Sequence, residues 1–256
     1  MHAPERQCVE AWHARPFSFF DAQVRVVTAQ TAQTILFLLT MLLAGMVLSN
    51  LVEEKGNKII EVLAAAIPMD ALFFGKLFAM LGVSLVGITV WLGVGGLVFA
   101  GGGSAMPALP PPAVGWPLFL ALGFLYFAMA YLLLGSLFLG IGSMATTVRE
   151  VQTLSMPVTM LQLLVFFFAS LTVAQQGRPL ELVAIAFPFS SPFAMISRAA
   201  QSPALWPHLL ALAWQALCVL AIIRIGARIF RRSVMKSGPA TGKPRRRWFG
   251  LAPARA

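Results

Sequence analysis

The chain has 256 residues, of which 59% are hydrophobic and only 11% are charged. Its mean hydropathy of +0.82 is far above that of soluble domains, which are roughly half apolar and a quarter charged. This composition argues against a compact soluble domain. The length allows about five or six membrane crossings of roughly 20 residues each.

Positive charge is concentrated at the C-terminus, where ten of the nineteen Lys and Arg residues lie at or after Arg224. Such a cluster after the last apolar stretch is typical of an anchor that contacts anionic lipid on the cytoplasmic side of a membrane. We therefore expect membrane lipid as a partner and no nucleic acid, although the basic and aromatic run at 245–249 keeps nucleic acid as a weaker alternative. Cys8 and Cys218 are too far apart in the sequence for a disulfide framework or metal-ligand spacing.

Five apolar stretches are long enough to cross a bilayer, at residues 35–51, 77–100, 118–141, 154–174 and 205–225. Residues 1–34 are expected to form an N-terminal extramembrane segment, 35–232 the transmembrane domain, and 233–256 a basic cytoplasmic tail. The loop after the second span is rich in glycine and proline and carries no charge, so it is predicted to be short and external. A polar break at 143–152 separates the third span from the fourth.

The apolar stretch at 182–196 is interrupted by Pro188 and Pro192. Two prolines four residues apart fit a broken, re-entrant element, provided that protein or water satisfies the freed backbone groups. The positive charges near the span ends favour a cytoplasmic C-terminus, with fourteen Lys and Arg residues inside and five outside. The N-terminus then lies outside without a signal peptide, which suggests that an upstream crossing is missing from this chain.

The segment at 53–76 (EEKGNKIIEVLAAAIPMDALFFGK) is the most informative part of the sequence. Charged and apolar residues are interleaved up to Leu63, and Pro68 ends the segment before the next span, as in an amphipathic helix that lies along a membrane surface. Such a rigid element between two spans could transmit force from a cytoplasmic partner. An ordinary juxtamembrane loop with anchoring charges is the alternative.

The order of four features resembles the ABC-2 permease family. A span ends near Ser49-Asn50, and it is followed by the segment at 53–63, a proline and the pair Gly75-Lys76. The resemblance is greatest to the branch of NatB-type sodium-efflux permeases, and it extends through Arg149-Glu150 and Gln152 to the stretch at 187–192. It implies the membrane-spanning subunit of an exporter in a bacterial cytoplasmic (inner) membrane. In this family the segment at about 53–66 forms a coupling helix that docks in a groove of an ATP-binding cassette ATPase. The residues thereby assigned to ATPase coupling are Glu53, Glu54, Lys55, Lys58, Ile59, Glu61 and Leu63.

The same resemblance implies two kinds of partner, a cassette ATPase and a second permease in a homodimer or heterodimer. ATP and Mg²⁺ would bind to the ATPase, and no cofactor is expected on this chain. Family members usually carry one more span and a sizeable extracytoplasmic domain before the coupling segment, so that region is expected to be lacking here. The combined prediction is an all-α, polytopic transmembrane helical bundle with about five crossings, a cytoplasmic coupling helix and a re-entrant segment before the last span.

Polar residues inside apolar spans are candidates for a translocation path, because unsatisfied polar groups are costly in hydrocarbon. The residues of this kind are Thr40, Ser84, Thr89, Ser136, Thr159, Gln162 and Ser170. Ser and Thr can bond to carbonyls of their own helix, so we expect helix packing for them and regard Gln162 as the strongest candidate. With the positions that the resemblance adds, the predicted path residues are Gln152, Pro157, Gln162, Ser190, Ser191 and Pro192. No Asp, Glu, Lys or His lies in the middle of a span, which argues against a proton- or sodium-driven secondary transporter.

Three classes of function remain to be compared. A transport subunit that uses ATP hydrolysed by a partner is favoured. An enzyme is disfavoured, because His2, His13 and His208 form no cluster with acidic residues, and no catalytic or metal-ligating residue is predicted. The run at 238–244 (GPATGKP) lacks the spacing and the Ser or Thr of a phosphate-binding loop. A non-transporting assembly or structural membrane protein, or an inactive permease fragment, is the alternative.

Overall fold

The structure, a computed structural model, describes residues 3–56, 68–101, 111–145 and 147–236. Every regular element within these ranges is an α-helix. In chain order the helices are α1 (Ala3–Gly56), α2 (Met69–Gly101), α3 (Trp116–Met144), α4 (Val148–Thr172), α5 (Pro179–Ala186), α6 (Ser191–Gln201) and α7 (Trp206–Lys236). The prediction of an all-helical fold is confirmed.

Five of these helices are long and apolar enough to cross a membrane. A helix rises about 1.5 Å per residue, so about 20 residues cover roughly 30 Å of hydrocarbon. The qualifying segments are Gln23–Glu54, Asp70–Val98, Trp116–Met144, Arg149–Thr172 and Trp206–Arg231. The predicted number of about five crossings is confirmed.

The first of these segments begins at Gln23, well before the start at Ile35 that hydropathy predicts. The difference arises from Gln30 and Gln33, whose polarity lowers the local hydropathy. Both side-chain amides donate hydrogen bonds of 3.3 Å to Oγ of Ser170 in α4, and Gln33 is fully buried. Because these polar groups bond to a neighbouring helix, α1 continues through them without a break.

The polar break before α4 is shorter than predicted, because α4 already begins at Val148. Thr147 caps the helix: its Oγ1 accepts a hydrogen bond of 3.2 Å from the N–H of Glu150. The carboxylate of Glu150 accepts one of 3.4 Å from the N–H of Thr147. This reciprocal capping box satisfies two backbone donors that a helix start leaves free. The polar residues of the predicted break therefore form the first turns of the helix.

Helix α3 lies at the centre of the bundle, and half of its most apolar stretch is buried against its neighbours. Its crossing with α7 is close, because Gly140 and Gly226 let the two backbones approach. A Cβ added to Gly226 would lie 3.0 Å from Cζ of Phe73 and 3.2 Å from the carbonyl oxygen of Ser136. Small residues at a crossing are the usual means by which membrane helices pack closely.

The bundle has two ends, which we name by α7: end A is where α7 finishes and end B is where it begins. At end A, Leu51 of α1 lies against Gly142 of α3, and Phe73 of α2 stacks edge-on against Phe230 of α7 at 5.6 Å. These contacts place the end of α1 and the start of α2 at end A. At end B the N–H of Ala113 donates to the carbonyl of Ala200 at 2.9 Å, which joins the start of α3 to the end of α6.

Helices α5 and α6 form a hairpin that starts and finishes at end B. The carbonyl of Ala186, at the end of α5, accepts a hydrogen bond of 2.9 Å from the indole N–H of Trp214. Trp214 lies eight residues into α7, or about 12 Å at 1.5 Å per residue, so the turn of the hairpin lies well inside the bundle. Most residues of α6 are buried. Entry of this hairpin into the membrane stays a prediction.

Candidate functional site

Two ion pairs lie at end A, on the helix ends that precede and follow the segment that sequence analysis assigns to ATPase coupling. Nζ of Lys76 in α2 lies 2.5 Å from the carboxylate of Glu54 in α1. The guanidinium of Arg231 in α7 lies 3.6 Å from the carboxylate of Asp70 in α2. The first pair is the more sheltered, because only 12% of the Lys76 side chain is exposed, whereas Asp70 and Arg231 are half exposed. The ends of α1 and α7 are thus both connected to the start of α2.

Of the predicted coupling residues, the structure describes those that lie in the last turn of α1. Glu53 is exposed, Glu54 is in the ion pair with Lys76, and Lys55 belongs to the same helix. The remaining ones lie outside the described residues: Lys58, Ile59, Glu61 and Leu63. The coupling helix at about 53–66 stays a prediction, with the addition that its first four positions continue α1.

The predicted path residues on α4 separate into buried and exposed positions. Gln162 is 4% exposed, whereas Gln152 and Pro157 are exposed at the surface of the helix. Ten residues, or about 15 Å of helix, separate Gln162 from Gln152. The structure therefore does not bring the two glutamines together.

Gln162 lines a groove between α3, α4 and α7, which we call the Gln162 groove. Its volume is about 310 Å³. The residues that define it include Ser136, Met144, Leu161, Gln162, Phe189 and Ile225. All of its lining residues except Ser136 and Gln162 are apolar. The hydroxyl of Ser136 donates to the carbonyl of Leu133 in its own helix at 2.9 Å, and the residue is fully buried. Gln162 is therefore the polar side chain that the groove offers to an occupant.

The predicted path residues Ser190, Ser191 and Pro192 lie buried at the turn of the hairpin. The hydroxyl of Ser190 donates to the carbonyl of Ala184 at 2.6 Å. Oγ of Ser191 accepts a hydrogen bond of 2.7 Å from the amide of Gln215 in α7. These hydroxyls hold the hairpin together, and neither lines the Gln162 groove, although the neighbouring Phe189 does.

The other hydroxyl-bearing candidates behave as expected for helix packing. Five of these hydroxyls donate to a carbonyl one turn earlier in their own helix, at 2.7–3.2 Å. They belong to Thr40, Ser84, Thr89, Ser136 and Thr159. Ser170 differs, because it accepts the hydrogen bonds from Gln30 and Gln33. The prediction that most of these hydroxyls are satisfied locally is confirmed.

Sequence analysis did not identify several polar contacts at and near end B. The hydroxyl of Tyr126 and Nδ1 of His208 lie 2.8 Å apart and are buried. The guanidinium of Arg198 in α6 donates to the carboxylate of Glu181 in α5 at 2.8 Å. A polar residue in an apolar run was the available signal for Gln215, Tyr126 and His208, but their partners lie far away in the sequence.

The described residues contain no group of three or more His, Cys, Asp or Glu placed to hold a metal ion. Among the polar contacts of the described residues, none joins a nucleophile to a base and an acid, as a hydrolytic enzyme would need. The geometry presents an apolar groove with one free amide, and an end face with paired charges.

Comparison with known proteins is consistent with this geometry. A family model described as "ABC-2 family transporter protein" matches residues 16–225. The uncharacterized protein MJ1024 of Methanocaldococcus jannaschii is 25% identical over 158 residues, which are 61% of this chain and 37% of that protein. The uncharacterized protein YhaP of Bacillus subtilis is 24% identical over 216 residues, which are 80% of this chain and 50% of that protein.

The chain thus spans no more than half the length of these two relatives. No solved structure matches it significantly. The family match nevertheless covers most of the chain and includes all or most of each of the five helices that can cross a membrane. The chain therefore belongs to the ABC-2 family of transporter proteins, which are membrane-spanning transport subunits.

Proposed function

We propose that this chain is the permease subunit of an ATP-binding cassette exporter, which moves its substrate with ATP that a separate cassette ATPase hydrolyses. The observation that carries the proposal is the family match over residues 16–225. Five helices that can cross a membrane supply the bundle that such a subunit needs. ATP and Mg²⁺ would be held by the partner, where they supply the energy of the cycle.

The proposed orientation places end A in the cytoplasm. Arg224, Arg228 and Arg231 lie there on α7, along with Lys76 and Arg149 near the starts of α2 and α4. Positive residues next to spans favour the cytoplasmic side. Because the end of α1 and the start of α2 also lie at end A, the ATPase would approach these helix ends directly. A bacterial cytoplasmic membrane, with the C-terminus inside, is the expected location.

Force would pass from the ATPase through the ends of α1 and α2. The ion pair between Glu54 and Lys76 connects α1 to α2, and the one between Asp70 and Arg231 connects α2 to α7. An exposed ion pair such as that between Asp70 and Arg231 is worth only about 0–1 kcal/mol, so it would position the end of α7 without locking it. The more sheltered pair between Glu54 and Lys76 would hold α1 to α2 more firmly. A displacement of residues 53–66 would then move α1, α2 and α7 together relative to α3.

A second permease, in a homodimer or heterodimer, would complete the transporter. The second half of α2, at residues 86–98, has little contact with the rest of the bundle, and its Val86, Trp91 and Leu97 are 64%, 78% and 75% exposed. Such a surface fits contact with lipid or with another membrane helix. Its exposure supports association within the membrane.

The proposal is tested by capture of a cassette ATPase encoded beside this chain. Both proteins are expressed in the same membranes, and the tagged chain is purified in mild detergent. The test variant is the double substitution Glu53→Lys with Glu61→Lys, because Glu53 is exposed, whereas reversal of Glu54 would also break its ion pair with Lys76. The matched control is Gln176→Lys, which places the same side chain at an exposed position of end B.

We expect wild type and Gln176→Lys to capture the ATPase and to stimulate or retain its ATP hydrolysis. The double variant should lose capture while it keeps the melting temperature of wild type. If wild type captures no ATPase, the exporter proposal fails and a structural membrane protein becomes the better interpretation. If both variants lose capture equally, docking does not take place at end A.

A further inference from the structure

The Gln162 groove contains one polar group that the protein leaves unused. The residue is 4% exposed, and its side-chain amide has no hydrogen-bond partner among the residues that the structure describes. The buried side-chain atoms without a partner do not include those of Gln162, so its amide is open to the groove that it lines. An amide that faces hydrocarbon costs free energy, because it has lost its bonds to water and acyl chains offer no replacement. Gln162 also lies near the middle of the Arg149–Thr172 span, far from the aqueous phases. An occupant of the groove is the available partner.

The entrance of the groove faces the hydrocarbon. Met144, Leu161 and Ile225 lie along it and are 58%, 57% and 52% exposed. Exposed apolar side chains on membrane-spanning helices contact acyl chains in a bilayer. A molecule dissolved in the membrane would therefore reach Gln162 from the side, without first passing through water.

The lining excludes charged occupants. The groove contains no acidic or basic residue, and transfer of an unpaired charge into an apolar site is strongly unfavourable. A sodium ion would need several oxygen ligands, but the side chains of the lining contain only two oxygens, and that of Ser136 belongs to a fully buried residue. A pure hydrocarbon would fill the space but leave the amide unsatisfied.

We propose that the Gln162 groove binds uncharged, mostly apolar small molecules that carry one hydrogen-bonding group, such as a ketone, amide or hydroxyl, and admits them from the bilayer. The volume of about 310 Å³ is at the lower limit of the range of small-molecule pockets. Gln162 would bond to the polar group and fix the depth of the molecule. This assignment names the substrate class of the proposed exporter, and in that sense it rests on the proposed function.

The binding test uses the full chain in phosphatidylcholine nanodiscs with benzophenone as the probe, and it needs no ATPase. Light makes the benzophenone carbonyl take a hydrogen atom from a nearby C–H, and the two carbon radicals then join. Peptide mass spectrometry locates the adduct. We expect labelling of Met144 and Leu161 to exceed that of Leu209 and Leu217, which are equally exposed on α7 but lie outside the groove.

A matched pair of substitutions tests the role of the amide. Gln162→Leu keeps the size of the side chain but removes the hydrogen bond, and should lower labelling of Met144 and Leu161 about fivefold or more, as expected for one lost bond at a buried site. Thr153→Val removes a polar group at an exposed position of the same helix and should leave labelling unchanged. Both variants are first compared with wild type by elution volume and melting temperature.

A competition measurement on wild type alone covers the case in which Gln162→Leu does not fold. N-benzylbenzamide should displace benzophenone at least about fivefold better than diphenylpropane, which has a similar shape but no hydrogen-bonding group. The proposal is overturned if the two competitors are equal, if labelling is uniform over exposed leucines, or if Gln162→Leu labels like wild type. Because cassette capture is measured separately, failure here would refute the groove assignment without refuting the exporter.

Discussion

The close crossing of α3 and α7 makes Gly226 a sensitive position, and Gly226→Ala tests it with the smallest possible change. The added methyl carbon would lie 3.0 Å from Cζ of Phe73 and 3.2 Å from the carbonyl oxygen of Ser136. The oxygen belongs to the backbone of a central helix. Phe73 is fully buried and stacks on Phe230, so its ring has little room to move. Both neighbours would have to move by a few tenths of an ångström to accept the methyl group.

Overpacking of this kind typically costs about 1–3 kcal/mol. For a chain of this length, each kcal/mol corresponds to roughly 2–4 °C in melting temperature, so a cost of about 2 kcal/mol predicts a loss of about 4–8 °C. The control is Gly87→Ala in α2, where the new Cβ would have no atom within 4 Å. Because alanine favours helix by about 1 kcal/mol over glycine, the control should melt at or slightly above the wild-type temperature.

The assay is stepwise heating of each variant in the same detergent, followed by size-exclusion chromatography and measurement of the remaining monodisperse peak. The comparison between two Gly→Ala changes removes the effect of helix propensity, which they share. A Gly226→Ala protein that melts with, or above, Gly87→Ala would refute the inference that the crossing is too tight for a side chain.

Three further changes test other contacts by the same thermal assay. Glu54→Lys should lower the melting temperature, because Lys76 is largely buried and would face a like charge, and adding Lys76→Glu should recover most of the loss; a double variant as unstable as the single one would contradict the pairing. Tyr126→Phe should lower the free energy of unfolding by about 1–3 kcal/mol, because it leaves Nδ1 of His208 buried without its 2.8 Å partner. A Tyr126→Phe variant that is as stable as wild type would show that this bond is dispensable. Thr147→Ala should cost about 0.5–2 kcal/mol through loss of the cap of α4, whereas Thr147→Ser should retain most of the stability.

Sequence reasoning identified the spans because hydropathy is a local property. A run of apolar residues must be buried in lipid or protein wherever the chain goes, so the spans in α2, α3 and α7 could be located to within seven residues at each end. It failed at the start of α1, where Gln30 and Gln33 appear polar in isolation but bond to Ser170 in α4. The partner lies about 140 residues away in the sequence, and local composition carries no information about it.

The candidate site was predicted only in part, because the type of a side chain is a local property whereas its neighbours depend on how the helices pack. Gln162 was identified from its side chain alone, since an amide in a span needs a partner that its own helix cannot easily supply. Its position in a groove, and the exposure of Gln152 and Pro157, depend on how α4 is rotated against α3 and α7. Gln215 was missed because its importance comes from Ser191, which only the hairpin brings within 2.7 Å.

The continuity of α1 has a mechanical consequence for a transporter. The helix has 54 residues, which at 1.5 Å per residue correspond to a rod of about 80 Å. A bilayer with its headgroups is only about 40–45 Å thick, so an upright rod would project into the aqueous phase. A pivot of about 10° at its midpoint would carry each tip through roughly 7 Å in opposite directions by the helix geometry. In the proposed exporter, α1 would therefore deliver a stroke made on one side of the membrane to the other side, in the opposite direction.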